Sequence, residues 1–222
     1  MAPPTGPIED PPWEHPAWYD LHDTAHTAGS EREPEHYREL LLALPALDRD
    51  DHLVDVGAGT GKLAGLIAKG YPRLGAVTLI EPNEPKLVLG AERLRALLPE
   101  ARIATLAAGL GTGAKLPARE ATIVTVGSVF MPIMLLRGGN LAGGLAWARK
   151  GLEEIRGILK PGAPAFLLET LGLLWDRGGP SDPVRRLSMP EWVKLVEDAG
   201  FEEVECVYRF RDRVTLHARA PG

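Results

Sequence analysis

Short, nearly uninterrupted apolar runs alternate along the chain with longer stretches in which apolar residues recur every three or four positions. The runs at 52–56, 75–81, 102–106, 120–128 and 163–170 have the length of buried strands, and EATIVTVGS at 120–128 has the β-branched content as well. The stretches between them predict helices. Tyr37, Leu40, Leu41 and Leu44 form one apolar face over 33–44, and residues 62–69 continue from the first strand. Asn83 caps, and Pro85 enters, a helix that reaches about Leu98. Another, over 141–159, is stopped by Lys160-Pro161-Gly162, and Ser188-Met189-Pro190-Glu191 is a capping box for one that ends at Gly200. Two closing runs, 203–210 and 214–219, flank Arg211-Asp212-Arg213 and read as a hairpin.

Five strand–helix alternations imply right-handed crossovers and a parallel sheet covered on both faces. The expected fold is α/β: a Rossmann-like, doubly wound, mostly parallel seven-stranded sheet with a C-terminal antiparallel hairpin at one edge. Pro3, Pro4, Pro7, Pro11, Pro12 and Pro16 exclude helix and sheet from the start of the chain. The organisation expected is therefore an arm over 1–32 and a single domain over 33–222. Ligands of such sheets lie at the carboxyl ends of the strands, beside the first one. Residues 55–61, Glu81, the turn after Leu106 and Ala107, and the turn after Val126 should converge there.

Composition narrows the function classes. The chain is 222 residues long, and its net charge of −5 (25 Lys+Arg against 30 Asp+Glu) gives no broad basic surface for nucleic acid or an anionic membrane. A single cysteine, Cys206, excludes internal disulfides and cysteine-built metal sites. Residues 1–10 carry no basic and apolar leader, and no apolar run reaches membrane-span length. The expectation is a cytoplasmic protein, monomer or homodimer, with neither nucleic acid nor membrane as partner.

Candidate chemistry centres on Val54-Asp55-Val56-Gly57-Ala58-Gly59-Thr60-Gly61. Glycines let the chain turn sharply from strand to helix, and the helix N-terminus offers free N–H groups to a ligand. Glu81 ends the next strand 20 residues beyond Gly61, the ~20-residue offset of an acid that grips a ribose. A triphosphate loop fits poorly, because Val56 stands at its first glycine and Leu63 at its Ser/Thr. A dinucleotide turn, GxGxxG, has Lys62 at its last position. What stands is GxGxG preceded by Asp55, which resembles motif I of the class I S-adenosylmethionine (SAM)-dependent methyltransferases. LIEPNE resembles the second motif of that family, LKPGAPAFLLE the approach to its fifth strand, and LSMPEWVKLVEDAGFEEVE the last helix and strand of many small-molecule members.

That resemblance implies roles. The backbone at Gly57, Ala58, Gly59 and Gly61 would line the methionine and ribose of SAM, and of its product S-adenosylhomocysteine (SAH). Asp55 would anchor the ammonium and Glu81 the ribose, with Pro82 and Asn83 flanking the adenine. Leu106-Ala107-Ala108-Gly109 stands where members often carry an Asp or Asn for the adenine amino group, so backbone must substitute there. Val126 and Ser128 complete the cofactor side. The arm, with Trp13, Trp18, Tyr19, His15, His22 and His26, is either a lid over the cofactor, with Tyr19 at the methionine carboxylate, or an aromatic clasp for an extra helix. His22 and His26, four residues apart, lack a third ligand, so no metal is expected; either could accept a proton. Phe130, Met131 and Met134, and Trp175 further on, are expected to wall a pocket for a partly hydrophobic small-molecule acceptor; methionine there equally suits plain core filling. Gly127-Ser128-Val129-Phe130 lacks the Asn/Asp-Pro-Pro-Tyr/Phe sequence of members that methylate base or glutamine nitrogens. Glu169 either orients or deprotonates the acceptor, or is a solvated strand end. Lys150 and Glu154 read as a solvated helix face, and Gly109–Gly113 as slack loop. Two rivals stay open: an NAD-dependent oxidoreductase, and a non-catalytic SAM-binding subunit.

Overall fold

The computed structural model describes residues 35–137, 139–172, 185–210 and 213–222. Strands β1 (His52–Val56), β2 (Ala76–Ile80), β3 (Arg102–Leu106), β4 (Ile123–Gly127), β5 (Pro164–Thr170), β6 (Glu202–Phe210) and β7 (Arg213–Arg219) form one sheet in the order β3-β2-β1-β4-β5-β7-β6. The first five are parallel; β7 runs antiparallel to β5 on one side and β6 on the other. The hairpin therefore stands at one edge of the sheet, as expected, with β7 one place in from that edge. Helices α1 (Glu35–Ala43), α2 (Lys62–Gly70), α3 (Glu84–Leu97), α4 (Phe130–Arg137), α5 (Leu141–Ile158) and α6 (Met189–Asp198) accompany it.

Every residue of β1, and all but one of β2, β4 and β5, is buried, as a parallel sheet covered on both faces requires. Side chains alternate between two cores. Leu53, Val77, Leu79, Ile123, Phe166 and Leu168 pack with α1, α2 and α3. Val54, Val56, Val124, Val126, Ala165 and Leu167 pack with α4, α5 and α6. Each large apolar side chain fully withdrawn from water contributes about 1.5–3 kcal/mol, so the two cores fix the layering. No helix among the described residues is long and apolar enough to cross a membrane.

The predicted elements stand within a residue or two, with two exceptions. The strand expected over 120–128 begins only at Ile123, because Ala121 bridges Leu159 and the amides of Glu120 and Ala121 donate to the Ile158 carbonyl (2.9 and 3.1 Å). Helix α4 was not foreseen: FMPIMLLR is apolar up to its last residue, Arg137, and has no period to read. Pro132 is tolerated in its first turn, where the missing N–H has no intrahelical partner to lose.

Candidate functional site

At the carboxyl end of β1 the chain turns through Gly57 and Gly61, both in the left-handed region (φ 67° and 70°). Gly57 is crowded as well as twisted, since a Cβ there would overlap the Val129 side chain. A Cβ on Gly61 would sit 2.9 Å from Gly90 Cα, so this glycine also lets the start of α2 approach α3. The turn is tied to β2: the Gly57 and Ala58 amides donate to the Ile80 carbonyl at 2.8 and 3.1 Å.

Glu81, just past β2, is buried and draws two loops together. Its Oε2 accepts from the Gly59 amide and its Oε1 from the Asn83 amide, each at 3.2 Å. Asn83 caps α3 by accepting from the Lys86 amide at 3.1 Å, as its sequence position predicts. Pro82 is exposed and Asn83 half-buried beside it. The Glu81 amide itself donates to the Leu106 carbonyl (3.2 Å), which brings the half-buried Leu106 and the exposed Ala107 to the same rim.

Asp55 lies opposite Thr125 in the β1–β4 register and accepts from the Thr125 hydroxyl at 2.8 Å through Oδ1. Its Oδ2 is buried with no hydrogen-bond partner. Burial pushes the Asp55 carboxyl up to about 7, against the Thr125 bond and the nearby Ala64 amide and with the Glu81 charge adding to the rise. Asp55 lines a small cavity with Tyr37, Gly57, Ala58, Lys62, Leu63 and Gly127. A buried acceptor oxygen with no hydrogen-bond partner, on a residue that lines a cavity beside glycine backbone, is matched by a ligand that brings its own N–H groups.

On the other side of the crevice, Ser128 is exposed and held at φ 55°, and α4 follows. Sequence expectation needs correcting here. Phe130 and Met134 are fully buried, and Phe130 stacks on Trp192 with ring centroids 5.7 Å apart. They are core residues rather than pocket wall, because the helical turn at 130–134 carries both side chains under α5 and α6. Met131 is half-buried. Glu169 is not a solvated strand end: it is 4% exposed, and its Oε1 accepts from the Val129 and Phe130 amides, both at 3.1 Å. Burial pushes its carboxyl up to about 7, opposed by the amides of Phe130, Val129 and Thr170 and by the Arg213 charge.

The glycine loop after β3 is not slack either. The Gly111 amide donates to Glu154 Oε2 at 2.6 Å, the Lys150 ammonium donates to the Gly111 carbonyl at 2.9 Å, and the Trp147 ring closes over the glycine. Lys150 and Glu154 thus fasten the loop that follows the Leu106 rim.

The crevice brings together Asp55, the glycine turn, Glu81, Asn83, Leu106 and Ser128. Val126, expected there from the sequence, is fully buried in the core and is not exposed to the crevice. Tyr19, His22, His26 and Trp175 lie outside the described residues. Three residues that line or shape the cavity were not singled out from sequence: Tyr37, Lys62 and Thr125. Tyr37 was read only as part of an apolar helix face. Its hydroxyl in fact lies beside Gly127, and a hydroxyl on an otherwise apolar stripe was the signal available.

No protein-family model matches the sequence, and no curated protein matches it. Solved structures do resemble it. A SAM-dependent methyltransferase from Aquifex aeolicus is 19% identical over 93% of this chain and 98% of its own, with a TM-score of 0.65. Human N-acetylserotonin methyltransferase, solved with SAM, is 18% identical over 95% of this chain and 58% of its own, with a TM-score of 0.62. The [4+2]-cyclase SpnF is 17% identical over 84% of this chain and 81% of its own, with a TM-score of 0.59. The shared property is the fold: the chain has the fold of the class I SAM-dependent methyltransferases, with a reversed seventh strand that the 3-2-1-4-5-6 dinucleotide-binding sheet lacks.

Proposed function

We propose that this chain is a SAM-dependent methyltransferase that passes a methyl group to a small, partly hydrophobic molecule. The observation that carries the reading is the orphaned, buried Oδ2 of Asp55, a residue that lines the cavity beside the glycine turn. An α-ammonium placed there supplies the missing donor and the countercharge together. The residues present fit the rest of the cofactor as well. Glycine backbone at 57, 59 and 61 leaves room for the methionine and ribose, with Ala58 between. Glu81, already gathering the Gly59 and Asn83 amides, faces the ribose hydroxyls. Pro82, Asn83, Leu106 and Ala107 border the adenine, and Ser128 the reacting end. Tyr37 and Lys62 line the same cavity as Asp55 and are assigned to the methionine carboxylate, a role for which Tyr19 was the sequence-based choice.

The bound cofactor supplies a methyl group on a sulfonium, activated for in-line displacement. The protein's task is then to orient the acceptor and exclude water. If the acceptor enters protonated, His22 or His26 of the arm is the proposed proton acceptor. A small-molecule acceptor is favoured by the acidic net charge and by the likeness to a methyltransferase named for N-acetylserotonin; Met131 and Trp175 are the proposed apolar contacts.

The test is thermal shift with SAH, SAM and NADH in parallel. A ligand at about 100 times its Kd adds about 2.7 kcal/mol, and SAH should do so while NADH does not. Glu81→Ala should abolish most of the SAH shift. Stabilisation by NADH alone would overturn the reading in favour of a dinucleotide enzyme.

A further inference from the structure

The amides at the start of helix α4 are held from outside the helix. Its first N–H groups have no intrahelical partners, and those of Val129 and Phe130 are both satisfied by Glu169, from a strand some forty residues further along the chain. Just before them, the Ser128 amide donates to the Leu168 carbonyl at 2.8 Å. Three consecutive amides of the turn after β4 are thus fastened to the end of β5. Ser128 is meanwhile held in the left-handed region (φ 55°), a conformation that persists in a non-glycine residue only where its surroundings impose it.

The other side of this turn presses on the cofactor crevice. The Val129 side chain fills the space where a Cβ on Gly57 would lie, and Gly57 and Gly127 line the same cavity as Asp55. A continuous path of contacts runs from Glu169 through the Val129 and Phe130 amides and the Val129 side chain to Gly57.

We propose that Glu169 is a positioning residue that locks the turn after β4 against Gly57, so that the acceptor side and the methionine end of the cofactor site are held in one geometry. This rests on the SAM reading above. It also replaces proton transfer as the role of Glu169, since the oxygen that would face the turn already accepts two amide hydrogens. Glutamine keeps an equivalent carbonyl oxygen, so charge is not what the role demands.

The experiment measures SAH affinity by calorimetry, and amide hydrogen exchange at 57–59 and 127–130 in the ligand-free protein, for wild type, E169Q, E169A and V129A. E169A should weaken SAH binding at least tenfold and speed exchange in both segments at least tenfold. E169Q should stay within about threefold of wild type in both readouts. V129A, which leaves the Glu169 bonds intact, should loosen residues 57–59 and weaken SAH severalfold, and it decides the matter if E169A does not fold. Folded E169A with wild-type exchange at 57–59, or V129A with wild-type behaviour in both readouts, overturns the proposal. E169Q as impaired as E169A also overturns it, because the carboxylate itself would then be required. If wild type binds no SAH, the SAM reading fails on its own, while the exchange measurements still decide the coupling.

Discussion

Replacing Asp55 by Asn should make the ligand-free protein more stable at alkaline pH while removing its ability to bind SAH. Burial raises the folded-state value to about 7 from 3.8 in the unfolded chain. Between pH 4 and 7 the unfolded chain has released this proton and the folded chain keeps it, so Asp55 makes stability fall as pH rises through that window and level off above it. About three units at ~1.36 kcal/mol each place the penalty at about 4 kcal/mol above pH 7. Asn removes the charge and keeps an oxygen for the Thr125 hydroxyl. It also puts an NH2 group where Oδ2 had no partner, which costs about 1–3 kcal/mol. At pH 4.5 the penalty is only about 1 kcal/mol, so the net expectation is that D55N gains about 1–3 kcal/mol at pH 8 and loses up to about 2 kcal/mol at pH 4.5, with the advantage shrinking steadily as pH falls between them. Urea denaturation of both proteins at four pH values measures this, because other titrating groups cancel in the difference. A wild-type-minus-variant difference that stays flat from pH 4.5 to 8 would refute the reasoning. So would undiminished SAH binding by D55N, since the reading assigns the cofactor ammonium to this carboxylate.

The same proton bears on binding: SAH affinity of the wild type should fall about tenfold per pH unit below 7, by calorimetry, as Asp55 must ionise to receive the ammonium. Gly57→Ala forces a Cβ into Val129 at φ 67°; a loss of about 2–4 kcal/mol, seen as a drop of roughly 5–15 °C in Tm, is expected. Adding Val129→Ala should recover only the steric part of that loss. Arg185 holds Glu191 down to about 2 through two hydrogen bonds of 2.6 and 3.1 Å, with burial opposing. That contribution is complete above about pH 4.5 and lost as pH falls toward 2, so R185A should move the acid-unfolding midpoint upward. An unchanged midpoint would remove the pair from the stability of the α6 entry.

Local chemistry determined much of this protein before any tertiary contact was known. Runs of β-branched and aliphatic residues set β1 to β5, Asn83 and Ser188 set the starts of α3 and α6, and the glycines followed 20 residues later by Glu81 marked the ligand crevice. These signals lie within a few residues of the feature they specify, or repeat at a fixed spacing, so a single sequence carries them. The tertiary structure decided what depends on partners far apart in the chain. Helix α4 is apolar up to Arg137 and the amides at its start are held by Glu169, so no period in the sequence announced it. Phe130 and Met134 became core once that helix turned Phe130 onto Trp192 and Met134 into the same cluster. The Gly111 loop is fastened by Glu154 and Lys150, side chains that in isolation look like any solvated helix face. Asp55 could be placed at the turn from its position before the glycines. That one of its oxygens is sealed from water without a donor, beside Tyr37 and Lys62, follows only when β4 and α1 close around it, because burial is a property of the packed chain and not of its order.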